Sequence, residues 1–167
     1  MSRRDAPLSS DPIELIRWLG KLGRMPPGQH IGRVATLLSH SDIDVRAEAV
    51  RLLTVLWRVA DYHDVAFRIA TDAGEPEDVR EQAIYGLSAI SQPRDRGRDV
   101  GALISIAESP MEPLTIRGSA YDALLILERM TGFPTVRREF DPVIDLDSEW
   151  LLELRQKYRI VDEPNQS

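Results

Sequence analysis

The sequence predicts an all-α fold, a short α-solenoid of about three to four helical hairpins closed by a C-terminal capping helix. Three observations predict it. A nine-residue pattern recurs at 45–53, 79–87 and 116–124, each copy reading aliphatic, Arg, x, x, Ala, apolar, x, x, Leu. Its arginines, Arg46, Arg80 and Arg117, are spaced 34 and 37 residues apart, about the length of two helices and two turns. Its apolar positions fall at i, i+4, i+5 and i+8, one face of a helix, and the small alanine permits close approach of a neighbour.

Taken in order, residues 1–10 read as a flexible N-terminus. Residues 11–24 read as a helix with Ile13, Ile16, Leu19 and Leu22 on one side and Trp18 beside it, stopped by Met25-Pro26-Pro27-Gly28. That helix either begins a hairpin completed by residues 31–38 or serves as an N-terminal cap. Amphipathic runs at 31–38, 65–70 and 100–107 precede the three repeated segments and supply the first helix of each hairpin. The second helices have start signals: Asp42 and Asp44, then Glu75-Pro76-Glu77-Asp78, then Glu112-Pro113. After Gly132 the period lapses through Phe133-Pro134 and Asp141-Pro142. A last helix returns at about 147–158 with Trp150, Leu151, Leu154 and Tyr158. This divides a single domain, 11–160, into repeats at about 11–40, 41–74, 75–110 and 111–131 and a cap at 132–160, with a frayed tail at 161–167.

The stretch Leu37-Leu38-Ser39-His40-Ser41-Asp42-Ile43-Asp44-Val45-Arg46 runs from helix to acidic turn to an aliphatic-Arg helix opening. In this it resembles the HEAT-repeat family, in a small bacterial form, and the resemblance covers about residues 31–131. It implies that Arg46, Arg80 and Arg117 join a ladder with an acid in the preceding turn and are structural. The family's usual acid, six residues before the arginine, is absent, since His40, Gly74 and Met111 stand there. Asp42, Asp72 or Glu75, and Glu112 then substitute, or the ladder is broken.

Composition narrows the function. A chain of 167 residues with 43% hydrophobic content can bury a full core without metals or crosslinks. It has no cysteine, which removes disulfides, thiolate ligands and cysteine nucleophiles. No secretory signal is visible at the N-terminus, and the apolar runs, such as Leu124-Leu125-Ile126-Leu127, are too short to span a bilayer. A cytoplasmic location is expected. A net charge of −6 argues against binding phosphate backbones, although a local basic face is compatible with it. Lys21 and Lys157 are the only lysines among 21 basic residues, a bias expected of a GC-rich bacterial genome.

The residues suited to catalysis are few. His40-Ser41-Asp42-Ile43-Asp44 resembles a metal or proton-transfer cluster, but helix capping accounts for both aspartates. Asp61-Tyr62-His63-Asp64 reads as an acid-rich helix start beside a surface histidine. Iron-dependent hydroxylases built on HEAT-like repeats carry repeated His-Glu pairs, whereas His30, His40 and His63 are followed by Ile, Ser and Asp. A bilin-lyase-like repeat enzyme stays open as an alternative. No phosphate loop, nucleophile elbow or zinc-ligand spacing is present, and no cofactor or metal is expected.

Stacked second helices leave a concave face whose solvent positions follow from the register. They are Ala47, Arg51, Thr54 and Arg58, then Glu81, Tyr85, Ser88 and Gln92, then Gly118, Asp122, Leu125 and Arg129. Arg and Tyr are favoured interface anchors, so Arg51, Arg58, Tyr85, Asp122 and Arg129 are the candidate partner-binding residues. Trp57 projects at the hairpin edge or packs on the adjoining connection. A second candidate surface is an acidic strip of Asp141, Asp145, Asp147 and Glu149, with Glu139 and Glu153 at its ends. It would steer a basic partner. The expected function is non-enzymatic protein binding, most specifically a cytosolic inhibitor or immunity protein that neutralises a basic toxin or enzyme. A scaffold or regulatory subunit is the alternative; nucleic acid and membrane are not the expected partners.

Overall fold

The structure, a computed structural model, describes residues 10–129 and 140–160. Those residues form nine α-helices packed antiparallel, with short helical turns between them and no strand. None of these helices is long and apolar enough to cross a membrane.

Helix α1 (Pro12–Leu22) starts where Asp11 accepts a hydrogen bond from the Ile13 amide and proline occupies the first turn. Leu15, Leu19 and Leu22 are its buried stripe, at i, i+4 and i+7, each contributing about 2 kcal/mol. The buried side is therefore rotated from the predicted one, and Ile13 is 67% exposed. Rather than pairing with the run at 31–38, α1 packs across α3 (Ile43–Arg51). The run itself divides into α2 (Ile31–Ala35) and a tight turn over Thr36–Ser39, where the Thr36 hydroxyl donates to the Arg33 carbonyl.

The three repeated segments fold as α3, α5 (Glu77–Ile90) and α7 (Leu114–Leu127), side by side. Helices α4 (His63–Thr71) and α6 (Arg96–Glu108) pair with α5 and α7. Every aliphatic, alanine, apolar and leucine position of the pattern is buried, from Val45, Ala49, Val50 and Leu53 to Ile116, Ala120, Tyr121 and Leu124. Beyond Arg51, α3 widens into a π-helical turn, Leu52–Leu56, in which buried Thr54 donates to the Val50 carbonyl. Thr54 lies against Gly86 of α5, where a Cβ would stand 2.3 Å from its hydroxyl oxygen. Only glycine lets the two helices approach so closely.

The pattern arginines link hairpins in an order the sequence did not suggest. Arg46 reaches Glu75 at 3.1 Å, and Arg80 reaches Glu112 at 2.7 and 2.8 Å. Each arginine takes the acid ahead of the next repeated helix rather than the acid in its own preceding turn. Asp42 and Asp72 are occupied locally, accepting from the amides of Val45 and Gly74. Arg80 and Arg117 also donate to the carbonyls of Ala70 and Ala107, ten residues upstream, and so close the C-terminal ends of α4 and α6. Arg46 lacks that bond, and its buried Nε has no partner.

The chain ends in a one-turn helix, α8 (Pro142–Asp145), and α9 (Ser148–Tyr158). Asp147 caps α9 through the Trp150 amide. Trp150 meets Tyr121 edge-on at 5.6 Å, and the Tyr121 hydroxyl accepts from the Asp147 amide. Arg155 holds Glu108 of α6 through two hydrogen bonds, while Glu128 accepts from Lys157 and Tyr158. Arg58, Arg129 and Arg159 lie at helix ends with φ of 52°, 54° and 54°, the left-handed closure that glycine usually takes. The core falls into two clusters. One runs from Leu15 to Leu53; the larger runs from Val50 to Leu154, and Leu38 packs against both.

Candidate functional site

Helices α3, α5 and α7 run in the same direction, because their first turns meet one another and so do their ends. Thr115 donates to Glu77 at 2.7 Å and Ser119 to Glu81 at 3.0 Å near the starts, while Thr54 touches Gly86 near the ends. Acidic residues favour helix starts and basic ones helix ends, so a shared direction sorts charge across the whole face. Two cavities result, one acidic and one basic, with Tyr85 in the wall of both.

The acidic cavity measures about 660 Å³ and is lined by Glu81, Tyr85, Ser119, Asp122, Phe140 and Asp141, among others. Asp122, placed in a solvent-facing row by the register, is only 6% exposed and lines this cavity together with Tyr85. Burial pushes the Tyr85 phenol above its ordinary value; the Asp122 and Glu81 charges add to this and a hydrogen bond with Ser119 opposes it. The phenol therefore stays protonated, a donor on a wall of acceptors. Phe140 packs on α7 at Gly118, where a Cβ would lie 3.0 Å from it, so residues 140–142 border α7 and wall the cavity. Leu114 is half exposed at the rim, and Val143 and Ile144 just beyond are 89% and 79% exposed.

The remaining predicted residues divide. Arg51 is held by Glu48 at 2.6 and 2.7 Å, which raises its pKa, and it lines a separate shallow depression beside Asp44, Asp78 and Glu81. Arg58 and Arg129 belong to the basic cavity instead. Thr54 and Leu125, predicted to face solvent, are buried against neighbouring helices. In the acidic strip, Asp141 and Asp147 are helix caps, and Asp145 accepts from the Asp141 amide. Glu149 is exposed in the first turn of α9, and Glu139 lies outside the described residues. Trp57 packs on the first core cluster and donates to the Met25 carbonyl in the adjoining connection.

His63 is not a surface residue. It is 7% exposed, and its Nε2 lies 2.9–3.0 Å from both carboxylate oxygens of Asp99, which is fully buried and also accepts from Ser91 at 2.5 Å. The aspartate stands between the hydroxyl and the imidazole. A serine nucleophile needs the imidazole itself as base, so this order does not activate Ser91. The His40 ring accepts from the Asp42 amide within its own turn, and among the described residues no three His, Asp or Glu side chains converge as a metal site would require.

Sequence reasoning reached Tyr85, Asp122 and Asp141 by two unrelated arguments, the concave row and the acidic strip, and the structure brings all three to one cavity. It missed Ser119 and Phe140. The overlooked signal was the near-period spacing of polar pairs, since Glu77 with Thr115 and Glu81 with Ser119 are each 38 residues apart. Comparison of the chain with family models, curated proteins and solved structures gives no significant match.

Proposed function

We propose that the chain is a HEAT-like α-solenoid that binds another protein and catalyses no reaction, with the face of α3, α5 and α7 as its contact surface. In the more specific form of this reading it is a cytoplasmic inhibitor of the immunity type, which neutralises a basic toxin or enzyme. Three nearly equivalent hairpins, linked from one to the next by arginine and an acid, support the solenoid. The observation that carries the binding reading is the acidic cavity. A carboxylate 6% exposed, with Tyr85 beside it and Glu81 and Asp141 around it, offers acceptors to an arginine or lysine entering from outside. Exposed Leu114, Val143 and Ile144 around that polar centre supply apolar contact of the kind protein partners use.

Affinity capture from the source cell, repeated with Tyr85→Ala and with Asp122→Asn, tests the reading. One stoichiometric basic partner is expected, bound at least tenfold more weakly by each variant, since central aromatic anchors contribute about 2 kcal/mol or more. Inhibition of that partner's activity at equimolar chain would identify an inhibitor, whereas weak capture of several proteins would identify a scaffold. A partner retained equally by both variants would refute the assigned face.

A further inference from the structure

The second cavity, at the opposite end of the same face, has a different chemistry. It measures about 550 Å³ and is lined by Arg58, Arg96 and Arg129, from three separate elements, with Tyr85, Ser88 and Ser91 among its other walls. Among the described residues no carboxylate lines it. In a chain of net charge −6, six arginines elsewhere, Arg46, Arg51, Arg80, Arg94, Arg98 and Arg155, pair with acids. By contrast, the exposed side chains of Arg58 and Arg129 make no hydrogen bond or ion pair with any described residue.

Local structure accounts for one of the three arginines. Arg96 donates through Nη1 to the Leu127 carbonyl at 2.6 Å and so caps the end of α7, which leaves its other guanidinium donors. It does not account for the other two. Glu128, next to Arg129 in the chain, is committed to Lys157 and Tyr158, and buried Asp99 to His63 and Ser91. The Ser88 hydroxyl donates to the Tyr85 carbonyl, so the free donors in this cavity are guanidinium groups.

We infer that this cavity binds a phosphate-bearing ligand, held by Arg58 and Arg129 with Arg96 as the fixed third donor. Guanidinium groups match phosphate oxygens in pairs, and three of them around one compact space suit a doubly or triply charged group better than a single carboxylate. The volume is within the range of small-ligand sites, and Val55, Ala89 and Ile126 give apolar wall for the remainder of such a molecule. A free phosphorylated metabolite and a phosphorylated side chain of a partner share this chemistry. The inference is independent of the proposed acidic-cavity contact.

The test is titration of the full chain with inorganic pyrophosphate at low salt, followed by calorimetry and by amide shifts of residues 88–96. Saturable one-to-one binding is expected at about millimolar or tighter. It should weaken at least tenfold in Arg58→Gln/Arg129→Gln and stay unchanged in Arg94→Gln, whose arginine pairs with Asp95 outside the cavity. Thermal unfolding confirms that the double variant is folded. Parallel titrations with ADP and with a phosphoserine peptide separate the two sources, each predicted to lose affinity in the same variant. Absence of saturable binding of all three probes, or binding that the double variant retains in full, overturns the inference.

Discussion

Arg80, on α5, is bound by Glu112, which stands ahead of α7, so a residue of one hairpin is satisfied only when the next is in place. Their side chains are 3% and 16% exposed, and removing the arginine strands the carboxylate and weakens the closure at Ala70. Arg80→Met is expected to cost about 3 kcal/mol in urea unfolding. Arg46→Met should cost only about 1 kcal/mol, because Arg46 and Glu75 are 22% and 28% exposed and better screened. Equal costs would show that burial does not grade these links.

Gly86→Ala places a methyl group 2.3 Å from the Thr54 hydroxyl oxygen and 2.7 Å from its Cβ. The gain in helix propensity is about 1 kcal/mol, and the overpacking should exceed it, leaving a net loss of about 1–2 kcal/mol. Adding Thr54→Ala should recover part of the loss by removing the nearer atom. A Gly86→Ala variant as stable as the parent in chemical denaturation would mean that the helices separate at little cost.

Arg159 closes α9 in the left-handed conformation, with the Ile160 amide donating to the Arg155 carbonyl. Glycine adopts that conformation without the side-chain penalty of about 1 kcal/mol. Arg159→Gly should therefore leave stability unchanged or raise it by up to about 1 kcal/mol, as read from the thermal midpoint. The same change at Arg58 or Arg129 should be equally mild for folding, yet abolish the arginine's part in anion binding.

Burial alone would raise the pKa of the Glu128 carboxyl, but Lys157 and Tyr158, with Arg96 nearby, bring it below its ordinary value. The sign follows from linkage. A depressed carboxyl stabilises the fold above its unfolded pKa, near pH 4, and that stability is lost as pH falls through the lower folded value. Lys157 is 57% exposed, so the effect should be modest, about 0.5–1 kcal/mol at neutral pH. The stability gap between the parent and Glu128→Gln should shrink between pH 5 and pH 3, measured by denaturant titration at each pH. A gap unchanged over that range would show that the charge of Glu128 plays no part.

Much of the helical frame was legible in the sequence, because it depends on local rules. The repeated apolar face, the caps at Asp42 and Asp147 and the prolines ahead of α5 and α7 all act within one turn. What failed depends on distance through space. Glu75 and Glu112 were assigned to the nearest following arginine, whereas stacking brings them to the previous one. Asp122 and Leu125 were placed on a surface by helical register, yet tertiary packing covers both. The π-helical turn at 52–56 left no mark in an apolar run that suits either geometry. The acidic cavity joins residues from 81 to 142, which no local pattern could assemble.

The division of the core into two clusters, with a more exposed arginine–acid link at Arg46 and Glu75 than at Arg80 and Glu112, sets an order of opening along the chain. The junction with the less buried arginine–acid link is the first. The segment through Leu53 should therefore exchange its amide hydrogens at a lower free energy than α5, α6 and α7, as a separate cooperative unit. Those three helices, locked by Arg80 and anchored by α9, should hold out until global unfolding. Breathing at the N-terminal end would then alter the depression beside Arg51 and the wall of the basic cavity that Val55 and Arg58 supply, while leaving the acidic cavity formed.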